Sequence, residues 1–194
     1  YTRKESNLRA HLGIPEKDIV FTFLSRISPS NGALELVKTA TEIEKENFHF
    51  LMVGYDKEDK STYNYDVKSY QSSNIHFIKM QNDVKETLSI TDVLVSPFIT
   101  PHFSRAVIEA GALKIPSIIS NVKSLNEQVI HGKTGLVYDL PNSKGLYDAI
   151  HKMGDKNYRE TLGENAYEFA YNNFNSRFNI PKTVNVYNVH SEQL

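Results

Sequence analysis

The chain has 194 residues, 40% of them hydrophobic and 23% charged, with 22 basic side chains against 23 acidic ones. That length suits one large domain better than two very small ones, and the balanced charge argues against a bulk nucleic-acid or membrane-surface binder. Cysteine is absent, which excludes disulfides, thiolate metal sites and cysteine nucleophiles and fits a cytosolic protein. No apolar run approaches the roughly 20 residues of a membrane-spanning helix, and no signal peptide is visible. A start at Tyr1 without an initiator methionine predicts a piece excised from something longer.

In chain order, "RKESNLRAHLGIP" reads as a short amphipathic helix closed by Gly13 and Pro15. "DIVFTFLS" is a β-branched and aromatic run of strand length. "GALELVKTATEIEKEN" places Leu34, Val37, Ala40 and Ile43 at helical spacing. "FHFLMVGYD" predicts a second strand ending at Gly54, and the polar stretch "DKEDKSTYNYDVKSYQSS" a loop with an exposed helix. Then follow "NIHFIK" (strand), "DVKETLSIT" (helix), "DVLVSPFI" (strand), "SRAVIEAGALK" (helix), "PSIIS" (strand), "VKSLNEQVIHG" (helix) and "TGLVYDL" (strand). Ser143 to Asn173 read as helical with an interruption near Asp155, and a last helix is expected to begin near Pro181.

Strands and helices thus alternate about six times through short connections. The predicted fold class is α/β, a Rossmann-like three-layer sandwich with a mostly parallel sheet of about six strands. In such sheets ligands bind beyond the carboxyl ends of the strands, where strand order reverses. The candidate site residues are therefore those just after each strand.

After the first strand, "SRISPSNGALEL" puts Arg26 at the exit and a tight turn through Asn31 and Gly32 into a helix. Backbone N–H groups beside one guanidinium suit a phosphate or diphosphate, although a plain strand-to-helix turn with a solvated Arg26 would look the same. Gly54, at the second strand's exit, lets a ligand or another backbone come close, but no G-x-G-x-x-G fingerprint surrounds it. Ile78 and Lys79 offer main-chain groups to a planar base, or simply end a half-buried strand. In "TPHFSRAVIEAGALKIP", Ser104 is placed to cap a helix through Ala112, with Gly111, Ala110 and Ala112 letting it pack closely on the sheet. Glu109 then lies about one and a half turns in, where it would accept hydroxyl hydrogen bonds; a surface pair with Arg105 at i, i+4 is the alternative. His102 lies in the turn expected to face the cleft, whereas the other histidines show no ligand spacing, so no metal site is expected. No G-x-S-x-G elbow or Ser–His–Asp arrangement is present.

The succession "SRISPSNG", "FLMVG", "NIHFI", "DVLVSPF", "HFSRAVIEAGALKIPSIIS" and "NEQVIHGKTGLVYD" resembles the carboxyl-terminal domain of retaining GT-B glycosyltransferases of the family-4 type. The likeness runs from about Leu8 to the last helix and is most specific from Ser96 to Asp139. It implies one half of a GT-B fold, a single Rossmann-like domain over 1–194 that binds a nucleotide-diphosphate sugar such as a UDP- or GDP-sugar. A tail helix over about 175–194 would pack on a missing amino-terminal domain, which would supply the glycan or glycolipid acceptor contacts.

By the same resemblance, Arg26 would hold the donor diphosphate and Glu109, matching the second glutamate of a paired motif, would bind the ribose. The N–H groups of Phe103, Ser104 and Arg105 would meet the diphosphate or the sugar. Glu127, Thr134 and Gly135 match positions that shape a loop. No metal, no cofactor and no protein nucleophile are implied. The parent enzyme is expected in the cytoplasm, with peripheral association at the inner face of the plasma membrane, building polysaccharide or lipopolysaccharide-type products.

Two departures stand out. Asn31 replaces the usual lysine, and Pro101 the first glutamate, each loss worth about 1.5–3 kcal/mol of charge-assisted hydrogen bonding. His102 or Arg105 would substitute in a subfamily with its own solution. The alternative is a degenerate, non-catalytic domain with a scaffolding or regulatory role.

Overall fold

The computed structural model describes residues 7–43, 47–54, 67–70, 72–81 and 83–191. Six strands form one sheet: β1 (Ile19–Leu24), β2 (Phe48–Val53), β3 (Ile75–Ile78), β4 (Val93–Ser96), β5 (Ser117–Ser120) and β6 (Gly135–Tyr138). Their order is β3-β2-β1-β4-β5-β6, and every pairing is parallel. Strand order therefore reverses between β1 and β4, which places a crevice above the carboxyl ends of those two strands.

The strands are near-continuous apolar runs because helices cover both faces. On one face Phe21, Phe23, Phe50, Met52 and Ile118 pack beneath α2 (Ala33–Glu42) and α5 (Ser143–Lys152), which contribute Leu36, Val37, Leu146 and Ile150. On the other, Leu94 and Ile119 meet Ala106, Val107 and Ala110 of α4 (Arg105–Gly111). Beside them Val20, Leu51 and Val53 meet Ile14 and Ile90, next to α1 (Leu8–His11) and α3 (Lys85–Ile90). Helices α6 (Lys156–Phe174) and α7 (Ser176–Ser191) complete the chain.

Four expectations change. The stretch 121–134 forms turns, not a helix: Ser124 takes φ 70, which breaks helical geometry, while Leu125, Gln128 and Val129 are still buried. The last helix begins at Ser176 and carries Pro181 inside it. Asn175 opens it, its Oδ1 accepting from the Arg177 N–H at 3.0 Å. The small residues of α4 serve a helix rather than the sheet alone, since a β-carbon on Gly111 would meet the Ala166 carbonyl oxygen at 3.2 Å and the Ala170 β-carbon at 3.3 Å. The first helix is a single turn over Leu8–His11. Most of the polar stretch after Gly54 lies outside the described residues, as do 1–6; within it Val67–Ser69 make one 3₁₀ turn. The interruption at Asp155 is observed: its carboxylate accepts from the Tyr158 N–H at 2.8 Å and starts α6.

Candidate functional site: the strand exits at the order reversal

Three strand exits are pressed together at the crevice. After β1, Pro29–Asn31 make one 3₁₀ turn and Gly32 takes φ 72. A β-carbon built on Gly32 would overlap the Pro97 carbonyl oxygen and lie 2.7 Å from its carbon, so the turn after β1 rests on the exit of β4. The Ile99 N–H donates to the Ser30 carbonyl at 2.9 Å and ties the same two segments. At φ 116, Gly54 packs likewise on Ser25, whose carbonyl carbon a β-carbon would reach at 2.8 Å. Both glycines are thus used for close approach of one backbone to another.

Arg26 lies on the rim, exposed, and its guanidinium makes no hydrogen bond or ion pair with a described residue. Asn31 staples the turn beneath it: Nδ2 donates to Ser25 Oγ at 2.8 Å and to the Arg26 carbonyl at 2.9 Å. In this chain Asn31 therefore fixes the backbone of Arg26. At β3 the Ile78 carbonyl, expected to be open to a base, accepts the Gly54 N–H at 3.0 Å, and Lys79 beyond it is exposed.

The turn after β4 carries His102, Phe103, Ser104 and Arg105. His102 stacks on Phe98 with ring centroids 3.8 Å apart. Burial holds its pKa below the ordinary histidine value. Phe103 and Arg105 are exposed, as are the apolar Ile99 after β4 and Met80 after β3.

Two expectations for Ser104 are corrected. Its side chain makes no capping hydrogen bond, because the residue is buried and another group holds the turn. Its N–H donates to Gln128 Oε1 at 2.8 Å and so is already committed. Sequence reasoning missed Gln128; the available signal was an amide sitting between the buried apolar Leu125 and Val129.

Glu109 is half-buried and does not pair with Arg105. It lines a groove of about 390 Å³ with Ile108 of its own helix and with Tyr171, Phe174 and Asn175 at the α6–α7 junction. None of the other candidate residues lines that groove. Thr134 Oγ1 accepts from the Ile130 N–H at 2.8 Å, and Gly135 leaves no room for a side chain against Ser117, which fits loop-shaping roles; Glu127 is exposed.

Among the described residues no cluster of three or more histidine or carboxylate groups is arranged to hold a metal ion. No described helix is long and apolar enough to cross a membrane.

With this arrangement in view, comparison with known proteins decides the family. The profile described as "Glycosyl transferases group 1" matches residues 4–169. The chain belongs to the group 1 glycosyltransferases. A relative from Staphylococcus aureus, the capsular polysaccharide biosynthesis glycosyltransferase CapM, is 27% identical over 178 residues, covering 88% of this chain and 46% of that protein. The Escherichia coli UDP-Gal:alpha-D-GlcNAc-diphosphoundecaprenol alpha-1,3-galactosyltransferase is 25% identical over 182 residues, covering 91% and 47%. The chain thus spans about half the length of the curated relatives it matches. Among solved structures, Anabaena Alr3699/HepE in complex with UDP and glucose superposes with a TM-score of 0.84 at 21% identity, covering 95% of this chain and 53% of that one. That likeness establishes the fold: an open Rossmann-like α/β domain of the GT-B glycosyltransferase type.

Proposed function

We propose that this chain is the donor-binding half of a retaining glycosyltransferase, transferring a hexose from a nucleoside-diphosphate sugar to a glycan or glycolipid acceptor. One observation carries the reading. The exits of β1, β2 and β4 converge where strand order reverses, and the exposed guanidinium of Arg26, without a partner among the described residues, stands on their rim. The UDP and glucose held by the Anabaena neighbour, the capsular polysaccharide biosynthesis in one relative's name and the diphosphoundecaprenol-linked sugar in the other's favour the same chemistry.

In this reading Arg26 binds the diphosphate, and the N–H groups of Phe103 and Arg105 approach it or the transferred sugar. Gly32 and Gly54 keep the neighbouring backbones close. The main chain at Ile78 and Lys79 borders the base, and Glu109 accepts the ribose hydroxyls. His102 supplies a hydrogen bond to the sugar where the family's first glutamate is replaced by Pro101. No metal and no protein nucleophile is required: the donor phosphate helps deprotonate the acceptor, while Arg26 stabilises the departing diphosphate from a fixed position. An amino-terminal half would bring the acceptor, at the cytoplasmic face of a membrane.

Calorimetric titration with UDP, GDP and ADP tests the reading. One nucleotide is expected to bind at micromolar to millimolar strength, about 4–8 kcal/mol, and to bind about tenfold or more weakly after Arg26→Ala and after Glu109→Ala, each a lost charged hydrogen bond. No heat with any nucleotide from a folded sample would overturn the donor site and favour a degenerate domain.

A further inference from the structure

The geometry points to Gln128 as a positioning residue for the turn between β4 and α4; the inference rests on the donor-site reading above and names what holds part of that site in place. Gln128 is 3% exposed and lies in the β5–β6 connection. Its Oε1 accepts the Ser104 N–H at 2.8 Å, and its Nε2 donates to the Ser104 carbonyl at 2.9 Å. One side-chain amide thereby supplies both bonds that a neighbouring strand would offer. Two such bonds fix the rotation of the peptide planes on either side of Ser104 as well as their distance.

The clamp is itself held. The Gln128 N–H donates to the Leu125 carbonyl at 2.9 Å, and buried Leu125 and Val129 flank it. Further links run along the same two segments: the His102 N–H donates to the Lys123 carbonyl at 3.2 Å, and Ser120 Oγ donates to the Phe98 carbonyl. The exit of β4 is thus laced to the segment after β5. Gln128 grips it between Phe103 and Arg105, whose side chains are exposed. A turn of the Ser104 peptide swings both of those side chains, and the N–H of Arg105, relative to Arg26 across the crevice. Gln128 touches no donor atom in this account; it acts through Ser104.

The test uses the whole chain, whichever of UDP, GDP and ADP it binds, and the variants Gln128→Met and Gln128→Glu. Methionine keeps the volume and removes both hydrogen bonds. Gln128→Met is expected to keep a cooperative melt and to bind nucleotide about tenfold more weakly, as for a misplaced contact.

Gln128→Glu adds a readout that loss of packing would not move. As a neutral acid it offers one O–H donor and one acceptor, the amide's own pattern; ionised it only accepts and faces the Ser104 carbonyl with like polarity. Its affinity, relative to the unaltered chain at the same pH, is therefore expected to recover as pH is lowered from 8 to about 5. If Gln128→Met does not fold, this pH comparison within one folded variant carries the test. Binding by Gln128→Met within twofold of the unaltered chain, or a flat pH ratio for Gln128→Glu, would each overturn the positioning role. If the unaltered chain binds none of the nucleotides, the donor-site reading fails first and this inference falls with it.

Discussion

Gly32 and Gly132 adopt the same φ of 72 but differ in what surrounds them. A β-carbon on Gly132 would meet nothing within 4 Å, whereas one on Gly32 would overlap the Pro97 carbonyl oxygen and lie 3.1 Å from the Pro97 β-carbon. Replacing either by alanine places a non-glycine residue in the left-handed region, at a cost of about 1 kcal/mol. Gly32→Ala must also move the exit of β4, where Pro97 and Phe98 are buried. That displacement strains packing by about 1–3 kcal/mol and breaks the Ile99–Ser30 hydrogen bond of 2.9 Å, worth about 1 kcal/mol more. The expected totals are about 3–5 kcal/mol for Gly32→Ala against about 1 for Gly132→Ala. For a chain of this size they correspond to melting shifts of roughly 6–20 °C and 2–4 °C. Thermal melting followed by circular dichroism, with reversibility checked by a second scan, measures both. Equal shifts would refute the claim that contact between the β1 and β4 exits, rather than backbone conformation alone, makes Gly32 necessary.

Asn31→Ala removes both staples beneath Arg26, to Ser25 Oγ and to the Arg26 carbonyl; a part-exposed pair of this kind contributes about 1 kcal/mol, which urea unfolding would read as a lower midpoint at unchanged slope. A second expectation concerns pH. His49 lies between Asp18, 3.0 Å from its Nε2, and His76, 3.1 Å from its Nδ1. Because an ionised carboxylate only accepts, His49 Nε2–H donates to Asp18. Burial first, and the neighbouring His49 second, push the His76 pKa down to about 4. The unfolded chain therefore takes up a proton below about 6.5 that the folded chain refuses until about 4, so stability is full above that window and falls through it. Discounted for the half-exposed ring, the loss is roughly 1–2 kcal/mol; melting temperature against pH checks it, and His76→Gln is expected to flatten the curve between those limits.

The sheet was legible in the sequence because parallel strands covered on both faces appear as apolar runs of strand length. Gly32, Gly54 and Arg26 could be singled out for a related reason: a strand exit is a local feature, and a tight turn there leaves a local trace. What stayed hidden depends on segments that meet only after folding. Gln128 and Ser104 are 24 residues apart, His49 and Asp18 31, and His76 and His49 27. No periodicity records which side chain will reach which backbone across such gaps.

The misread stretch around Gln128 shows how the two levels interact. Leu125, Gln128 and Val129 recur at i, i+3 and i+4, a spacing that a helix and a folded-back series of turns bury equally well. Spacing alone favoured the helix, whereas the left-handed Ser124 selects the turns. Yet the same triplet contained a sharper clue. An amide at an apolar position must find partners for its donor and its acceptor or lose the free energy of desolvating both. Within a helix the backbone would already be self-satisfied, so a buried glutamine there implies a second segment with a free N–H and a free C=O. The turn leading into α4 is such a segment, since the Ser104 hydroxyl makes no capping bond. The polar exception in a buried pattern therefore carried more information about the site than the pattern did, because its demands must be met by one particular backbone.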